Sequence, residues 1–317
     1  MTSPSDHFGK TVRIATGSRL HFGLVDTASP FGGVGVMIDR PVTEVVVTAA
    51  EQFSCTDSTN RVSDIADRLC EVLGLAERPA CRIEIMQRAP SHHGLGTGTQ
   101  LSMAVAESMV VFLGADLSGE LLTTEIADRG KRSAVGSHGY FHGGMIYESS
   151  DEGHSLNAIV QRAELPDQWR VLVLRPTESA PTVSGTDEQN QFDRLGSAPA
   201  SQRERLQKTV GEELLPAALS CDFEAFCDSL HRYNHDSGLL FDRVQGGPYS
   251  SRAIADLVDL LQSSGATGVG QSSWGPSVFC WCESDGSADE LMQRLQATGI
   301  RIQKCRVENQ PRQIQVT

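Results

Sequence analysis

The segment Ala89–Ala106, APSHHGLGTGTQLSMAVA, carries the residue types best suited to chemistry. Gly94, Gly96 and Gly98 fall within five residues, directly after an alternating strand pattern and directly before a helical one. Glycine lets the backbone take positive φ and approach a ligand, and the first N–H groups of a helix point outward with the positive end of its dipole. The spacing therefore predicts a cradle for an anion such as phosphate or diphosphate. Ser91, Thr97, Thr99 and Gln100 add hydroxyl and amide groups, although the two threonines could instead serve as helix caps. His92 and His93 flank the cradle, and His93 is a candidate for holding or moving a proton near neutrality. A side chain placed at Gly96 is expected to fill the space the anion uses.

Three other segments offer partners for an anion or for a flat acid. The first pairs TGSRLHFGLVD (Thr16–Asp26) with FGGVGVMIDRP (Phe31–Pro41) and contains Arg19, His21, Asp26 and Asp39. Arg19 and His21 are candidates to contact a carboxylate or phosphate, and Asp26 a metal or a sugar hydroxyl, whereas Asp39 reads as a turn acid. The second is the basic run Arg129, Lys131, Arg132, which either meets an anion or closes a helix against its dipole; it precedes a predicted Gly-rich loop, Gly136–Gly144. The third is GATGVGQSSWGPSVFCW (Gly265–Trp281), where Gly268, Gly270, Gln271, Ser272, Ser273 and Trp274 form a second expected close-approach loop. Trp274 either stacks on an aromatic ligand or closes a core. Asn234, Asp236 and Gln245 are further candidates for a wall of the site.

These residues need elements to hold them. Val12–Ala15 and Thr43–Thr48 read as strands separated by a Gly-dense hairpin region, and Asn60 or Ser63 opens a helix that stops at Gly74. Cys81–Arg88 alternates as a strand, and Leu101, Val105, Met109 and Phe112 stripe the helix behind the cradle. A helix is predicted over Gly119–Ala134. Composition shifts near Arg162–Gln168, which divides the chain into domains at 1–165 and 166–317. Beyond it the pattern gives a strand at Trp169–Leu174, helices near Gln202–Leu215, Asp222–Tyr233 and Ser251–Ser263, and a strand at Ser277–Glu283. A helix with a Ser287/Glu290 capping box and a strand at Ile300–Val307 complete it. That order is the split βαβ arrangement of a ferredoxin-like domain. The polar stretch Thr177–Ala200 reads as a mobile loop.

A chain of 317 residues with 39% apolar and 21% charged side chains is an ordinary globular composition, long enough for two domains. Its net charge of −13 argues against a nucleic-acid surface, so an anionic ligand must be held by local dipoles and a few placed arginines. Eight scattered cysteines show no zinc spacing, and no apolar run has the length of a membrane span. The expectation is a cytoplasmic protein acting on small molecules, without nucleic-acid or membrane partners, with a homodimer as the default assembly.

Taken together, RLHFGL (Arg19–Leu24), GLGTGTQ (Gly94–Gln100), RSAVG (Arg132–Gly136) and GVGQSSWGP (Gly268–Pro276) resemble the GHMP kinase superfamily. Within it they are most similar to the β-ribofuranosylaminobenzene 5′-phosphate synthases. The resemblance implies an α+β fold, with a ribosomal-S5-like N-terminal domain followed by a ferredoxin-like C-terminal domain. It also implies a pentosyltransferase that joins phosphoribosyl diphosphate to 4-aminobenzoate or a related 4-substituted benzoate. Carbon dioxide and diphosphate are released, on the route to tetrahydromethanopterin. Alternatives on the same fold are an ATP-dependent small-molecule kinase and a non-catalytic ligand-binding homologue. GHMP kinases usually place an aspartate in an SGxD loop, and the corresponding stretch here, Ser137–Gly144, holds no carboxylate, which disfavours phosphoryl transfer. Mg²⁺ is the expected cofactor, bridging diphosphate oxygens at the cradle, with no organic cofactor and no assigned metal ligands.

Overall fold

The computed structural model describes residues 9–57, 59–151, 155–176, 195–296 and 299–317. Most of the predicted mobile loop, 177–194, lies outside them.

Strands β1 (Thr11–Leu24) and β2 (Gly33–Ala49) form one long antiparallel pair, so the expected Gly-dense hairpin region is itself strand. Its glycines serve the pairing. A methyl at Gly17 would sit 2.1 Å from the Ile38 carbonyl oxygen, and the register shifts there, between Thr16 and Ser18. Because strand side chains alternate with a period of two, the shift exchanges the faces. Val12 and Ile14 enter one core, with the helix behind the cradle, while Leu20 and Phe22 enter another, shared with the C-terminal half.

β4 (Cys81–Gln87) joins β2, with the two-residue β3 (Ser54–Cys55) beside it, and β5 (Met145–Glu148) and β6 (Ile159–Ala163) extend the other end of β2. The last strand, β11 (Gln313–Val316), pairs with β1, so the chain end returns to the N-terminal sheet rather than staying with 166–312. Helices α1 (Arg61–Leu73) and α2 (Thr97–Leu113) cover this sheet around Val45, Val47, Ile65, Leu69, Val105 and Met109.

Two predicted elements change type. The helix expected over Gly119–Ala134 stops early: α3 (Gly119–Leu121) runs into a π-helical turn (Leu122–Ile126), and Asp128 and Gly130 then take positive φ. The predicted loop Gly136–Gly144 is mostly helix, α4 (Val135–His142), ended by Gly143 and Gly144. Packing overrides glycine's weak helix propensity there: a methyl at Gly139 would lie 2.6 Å from the Met37 side chain.

The C-terminal half has a four-stranded antiparallel sheet, β7 (Arg170–Arg175), β8 (Thr267–Gln271), β9 (Val278–Cys282) and β10 (Arg301–Arg306), in the order β10-β7-β9-β8. This is the expected ferredoxin-like order. The first crossover is expanded into α5 (Ala200–Lys208), a π-helical turn, α6 (Leu215–Leu219), α7 (Phe223–Gly238), α8 (Asp242–Gln245) and α9 (Arg252–Ser263). The second is α10 (Asp285–Leu295), whose capping box is Ser284/Ser287 rather than Ser287/Glu290. Gly268 and Gly270, expected in a loop, belong to β8. Phe22 of β1 packs 5.4 Å from Phe279 and 6.3 Å from Trp281, so one aromatic core spans both halves.

Candidate functional site

Arg19 and His21 are two apart on β1 and project from the same face. Arg19 runs between two glycines: a methyl at Gly96 would lie 3.3 Å from its Nε, and one at Gly136 3.6 Å from the same atom. Gly96 precedes α2 and Gly136 lies in the first turn of α4, so the guanidinium sits where two helix N-termini converge. No side chain caps α2, which leaves its first N–H groups for a ligand and removes the capping role for Thr97 and Thr99.

Beside Arg19 opens a cavity of about 290 Å³ between the two halves of the chain. Arg19, His21, Thr99, Asp128, Arg129, Lys131, Arg132 and Ser133 line it from the N-terminal half, and Asn234, Phe241, Gln245, Gln271, Ser273 and Trp274 from the C-terminal half, with Phe22 and Leu24 between. One wall thus carries four permanent cations and the other is aromatic and amide-rich. Asp128 is the single carboxylate at this wall among the described residues, 2.7 Å from Lys131. The local field is strongly positive despite the net charge of −13. Arg129 is anchored by Nε and Nη2 to the Ser102 hydroxyl at 3.2 and 3.0 Å. Burial, with Arg61 nearby, pushes it down to about 10, which still leaves it charged at neutral pH.

Beneath the cations lies a buried chain the sequence did not reveal. His21 Nε2 is 3.0 Å from the Ser133 hydroxyl, and the Ala134 N–H donates to Glu148 Oε2 at 2.6 Å. Burial, reinforced by the Arg19 charge, holds the His21 imidazole well below its ordinary value, so the ring is neutral. Burial also raises Glu148 from 4.5 to about 7, against the opposing hydrogen bonds of Ser133 and Ala134 and the charge of Arg19. The folded protein therefore binds more protons than the unfolded chain between these two values, and stability falls as pH rises through that window. Glu148→Gln is expected to remove this slope, gaining about 2–3 kcal/mol relative to wild type between pH 5 and pH 8. Urea unfolding at the two pH values checks it; an equal difference at both would show that Glu148 is not held protonated.

The glycine triplet divides its labour. Gly94 abuts the C-terminal half: a methyl there would lie 2.0 Å from the Ser272 carbonyl oxygen. Gly96 faces Arg19 at φ +68°, so a side chain would displace that arginine and strain the backbone rather than simply fill the anion's space. Gly98 opens toward Arg61. Ser272 is a clip, its hydroxyl donating to the Gly94 carbonyl at 2.6 Å and accepting from the His21 N–H at 3.0 Å. Gln100 is buried between Thr16 and the Gly136 carbonyl, and Thr97 bonds the Pro90 carbonyl. These residues shape the site without lining the cavity.

Other candidates from the sequence lie elsewhere or are already engaged. Asp26 is a staple: its carboxylate accepts from the N–H groups of Thr27 and Ala198, from Ser197 and from Arg203. Burial alone would raise it, but those hydrogen bonds hold it below the usual carboxylate range, and it does not line the cavity. His93 stands at β7, 3.5 Å from Arg175, and Ser91 is exposed; neither lines the cavity. Asp39 lies within β2 and not in the turn its sequence context suggests; it accepts from the Arg306 N–H at 2.8 Å, a structural contact. Asn234 spends its amide on the Phe22 and Gln271 carbonyls and the Gln271 N–H, and Asp236 pairs with Arg205. Trp274 lines the cavity with its ring 4.9 Å from Phe241, while the core tryptophans are Trp169 and Trp281. Asp128, Ser133, Glu148 and Phe241 were missed. The first two adjoin the basic run and were open to detection by proximity; a lone Glu ending a strand carries no signal.

Comparison with known proteins gives two domain matches. Residues 60–145 match the GHMP kinases N terminal domain and residues 214–301 the GHMP kinases C terminal domain. Among curated proteins, the chain is similar to β-ribofuranosylphenol 5′-phosphate synthase of Methanothermobacter thermautotrophicus, 28% identical over 84% of this chain and 87% of that protein. The protein of the same name from Archaeoglobus fulgidus is 26% identical over 89% and 91%. Among solved structures, phosphomevalonate kinase of Streptococcus pneumoniae superposes with a TM-score of 0.69 at 14% identity, covering 94% of this chain and 99% of that one. This last likeness is one of fold.

Proposed function

The chain belongs to the GHMP kinase superfamily, and from that premise we propose that it is a pentosyltransferase joining phosphoribosyl diphosphate to a 4-substituted benzoate, releasing carbon dioxide and diphosphate. The observation that carries this reading is the asymmetry of the cavity, with Arg19, Arg129, Lys131 and Arg132 on one wall and Phe241 and Trp274 on the other. A phosphosugar matches the first wall and an aromatic ring the second. The curated relatives are named for a ribofuranosylphenol phosphate, which supports a benzoate with a para hydroxyl at least as well as 4-aminobenzoate. The product then enters the route to tetrahydromethanopterin that the sequence resemblance implies.

Departure of diphosphate leaves positive charge on the sugar and adds negative charge to the leaving group. Arg19, with Thr99 in the first turn of α2, holds the leaving anion, and Arg129 or Arg132 takes the 5-phosphate or the benzoate carboxylate. The ring carbon bearing the carboxylate bonds to the anomeric carbon as the bond to diphosphate breaks. Loss of carbon dioxide then returns its electron pair to the ring.

Magnesium fits a substrate-held role. No cluster of three or more candidate ligands occurs among the described residues, and Asp128, with the Thr99 hydroxyl, would hold the ion alongside diphosphate oxygens. When bound, it supplies charge neutralisation to the departing diphosphate.

The test is incubation with phosphoribosyl diphosphate, Mg²⁺ and carboxyl-labelled 4-hydroxy- or 4-aminobenzoate. Labelled carbon dioxide and diphosphate are expected in equal amounts, falling to background with a chelator. No release from any 4-substituted benzoate, together with ATP consumption on adding an alcohol, would replace this reading with a kinase. Among the described residues no helix is long and apolar enough to cross a membrane; a cytoplasmic location belongs to the same proposal, since a multiply charged phosphosugar does not cross a bilayer unaided.

A further inference from the structure

Gln245 ends α8 and lines the cavity on its aromatic wall, beside Phe241 and Trp274. Its amide nitrogen donates to the Gly238 carbonyl at 3.1 Å and to the Gly247 carbonyl at 2.8 Å. Two carbonyl partners use both amide hydrogens and fix which end of the side chain is oxygen. Oε1 is buried and accepts no hydrogen bond among the described residues. A buried acceptor left unmade is costly; this one is closed to water as the side chains stand, so a ligand donor pairs with it once neighbouring side chains of the cavity wall shift to admit the ring.

The proposed reaction, on which this inference rests, fixes where such a donor would lie. Bond formation takes place at the ring carbon carrying the carboxylate, which must face the sugar on the arginine wall. The para substituent lies diametrically across the ring and points to the opposite wall. We propose that Gln245 reads that substituent: Oε1 accepts a hydrogen bond from a para hydroxyl or amino group and selects donor-bearing benzoates over those without a donor. The para group keeps its proton throughout. Its polarised O–H or N–H bond pushes electron density into the ring, so the same contact that selects the substrate also aids attack by the carbon opposite. A site built around an acceptor rejects an analogue lacking the donor, because the acceptor is then left unpaired.

The test is calorimetric titration of 4-hydroxy-, 4-amino-, 4-methyl- and 4-methoxybenzoate into the protein carrying diphosphate and Mg²⁺. Wild type is expected to bind the first two at least tenfold more tightly than the last two. Methoxy groups with methyl, because it has an oxygen but no donor. Gln245→Leu is expected to bring the hydroxyl and amino compounds to the level of the methyl compound and to leave diphosphate affinity unchanged. A wild type without this preference, or a Leu variant that keeps it, overturns the proposal. Should the variant not fold, the wild-type series decides alone. Failure of every benzoate to bind while diphosphate still binds would instead remove the aromatic site itself, and with it the basis of this inference.

Discussion

Arg19→Met is expected to lower diphosphate affinity, and turnover with it, by a hundredfold or more while the protein stays folded. The side chain lies between Gly96 and Gly136 with its guanidinium at two helix N-termini, and methionine has a similar length without the charge. Removing one partner of a largely desolvated, charge-assisted contact costs about 3–5 kcal/mol, which corresponds to a loss of about two to four orders of magnitude. Arg19→Lys restores the charge but not the planar fork and is expected to recover only part of the loss. Its removal also takes a stabilising charge from Glu148, which then stays protonated to still higher pH. Calorimetric binding of diphosphate, alongside thermal unfolding, measures both effects. A Met variant that holds diphosphate as wild type does would remove Arg19 from the anion site.

Gly94→Ala is expected to destabilise the protein by about 3–5 kcal/mol, combining a left-handed backbone with overpacking. Gly94 has φ +75°, and the added methyl would stand 2.0 Å from the Ser272 carbonyl oxygen and 3.2 Å from the Gly275 Cα. All three are held by main chain, so little can yield. The contact is also where Ser272 clips His21, so the cationic wall shifts with it. Gly98→Ala makes the contrast, because its methyl would meet only the Arg61 guanidinium, 3.6 Å away, at a helical position. That variant is expected to keep its stability or gain up to about 1 kcal/mol. Chemical denaturation of the pair separates the two roles: equal stabilities would mean that Gly94 is a ligand-approach glycine like its neighbours rather than a joint between the halves.

One segment and one carboxylate show why sequence patterns misjudged part of the site. Gly136–Gly144 reads as a loop by propensity, yet its glycines are there because Arg19, Thr99 and Met37 press against that helix. Its true role is to bring a second helix N-terminus to Arg19. Asp26 has the composition of a ligand and the surroundings of a staple, and only the approach of Ser197, Ala198 and Arg203 distinguishes them.

What the sequence determined by itself is local: an anion-friendly strand-to-helix turn, Arg19 and His21 on one strand face, the basic run, and the ferredoxin-like order of the second half. Each follows from interactions within a few residues or from a hydrophobic period. Tertiary structure alone decided that the three glycines act as joint, arginine channel and open turn, that Glu148 lies buried under the cationic wall, and that the Gln245 amide nitrogen is held by two carbonyls with its oxygen left unpaired among the described residues. Those outcomes depend on contacts between residues distant in the chain, from Gly98 with Arg61 to Gly94 with Ser272, or on hydrogen bonds that orient a side chain after folding, and neither leaves a periodic trace in the chain.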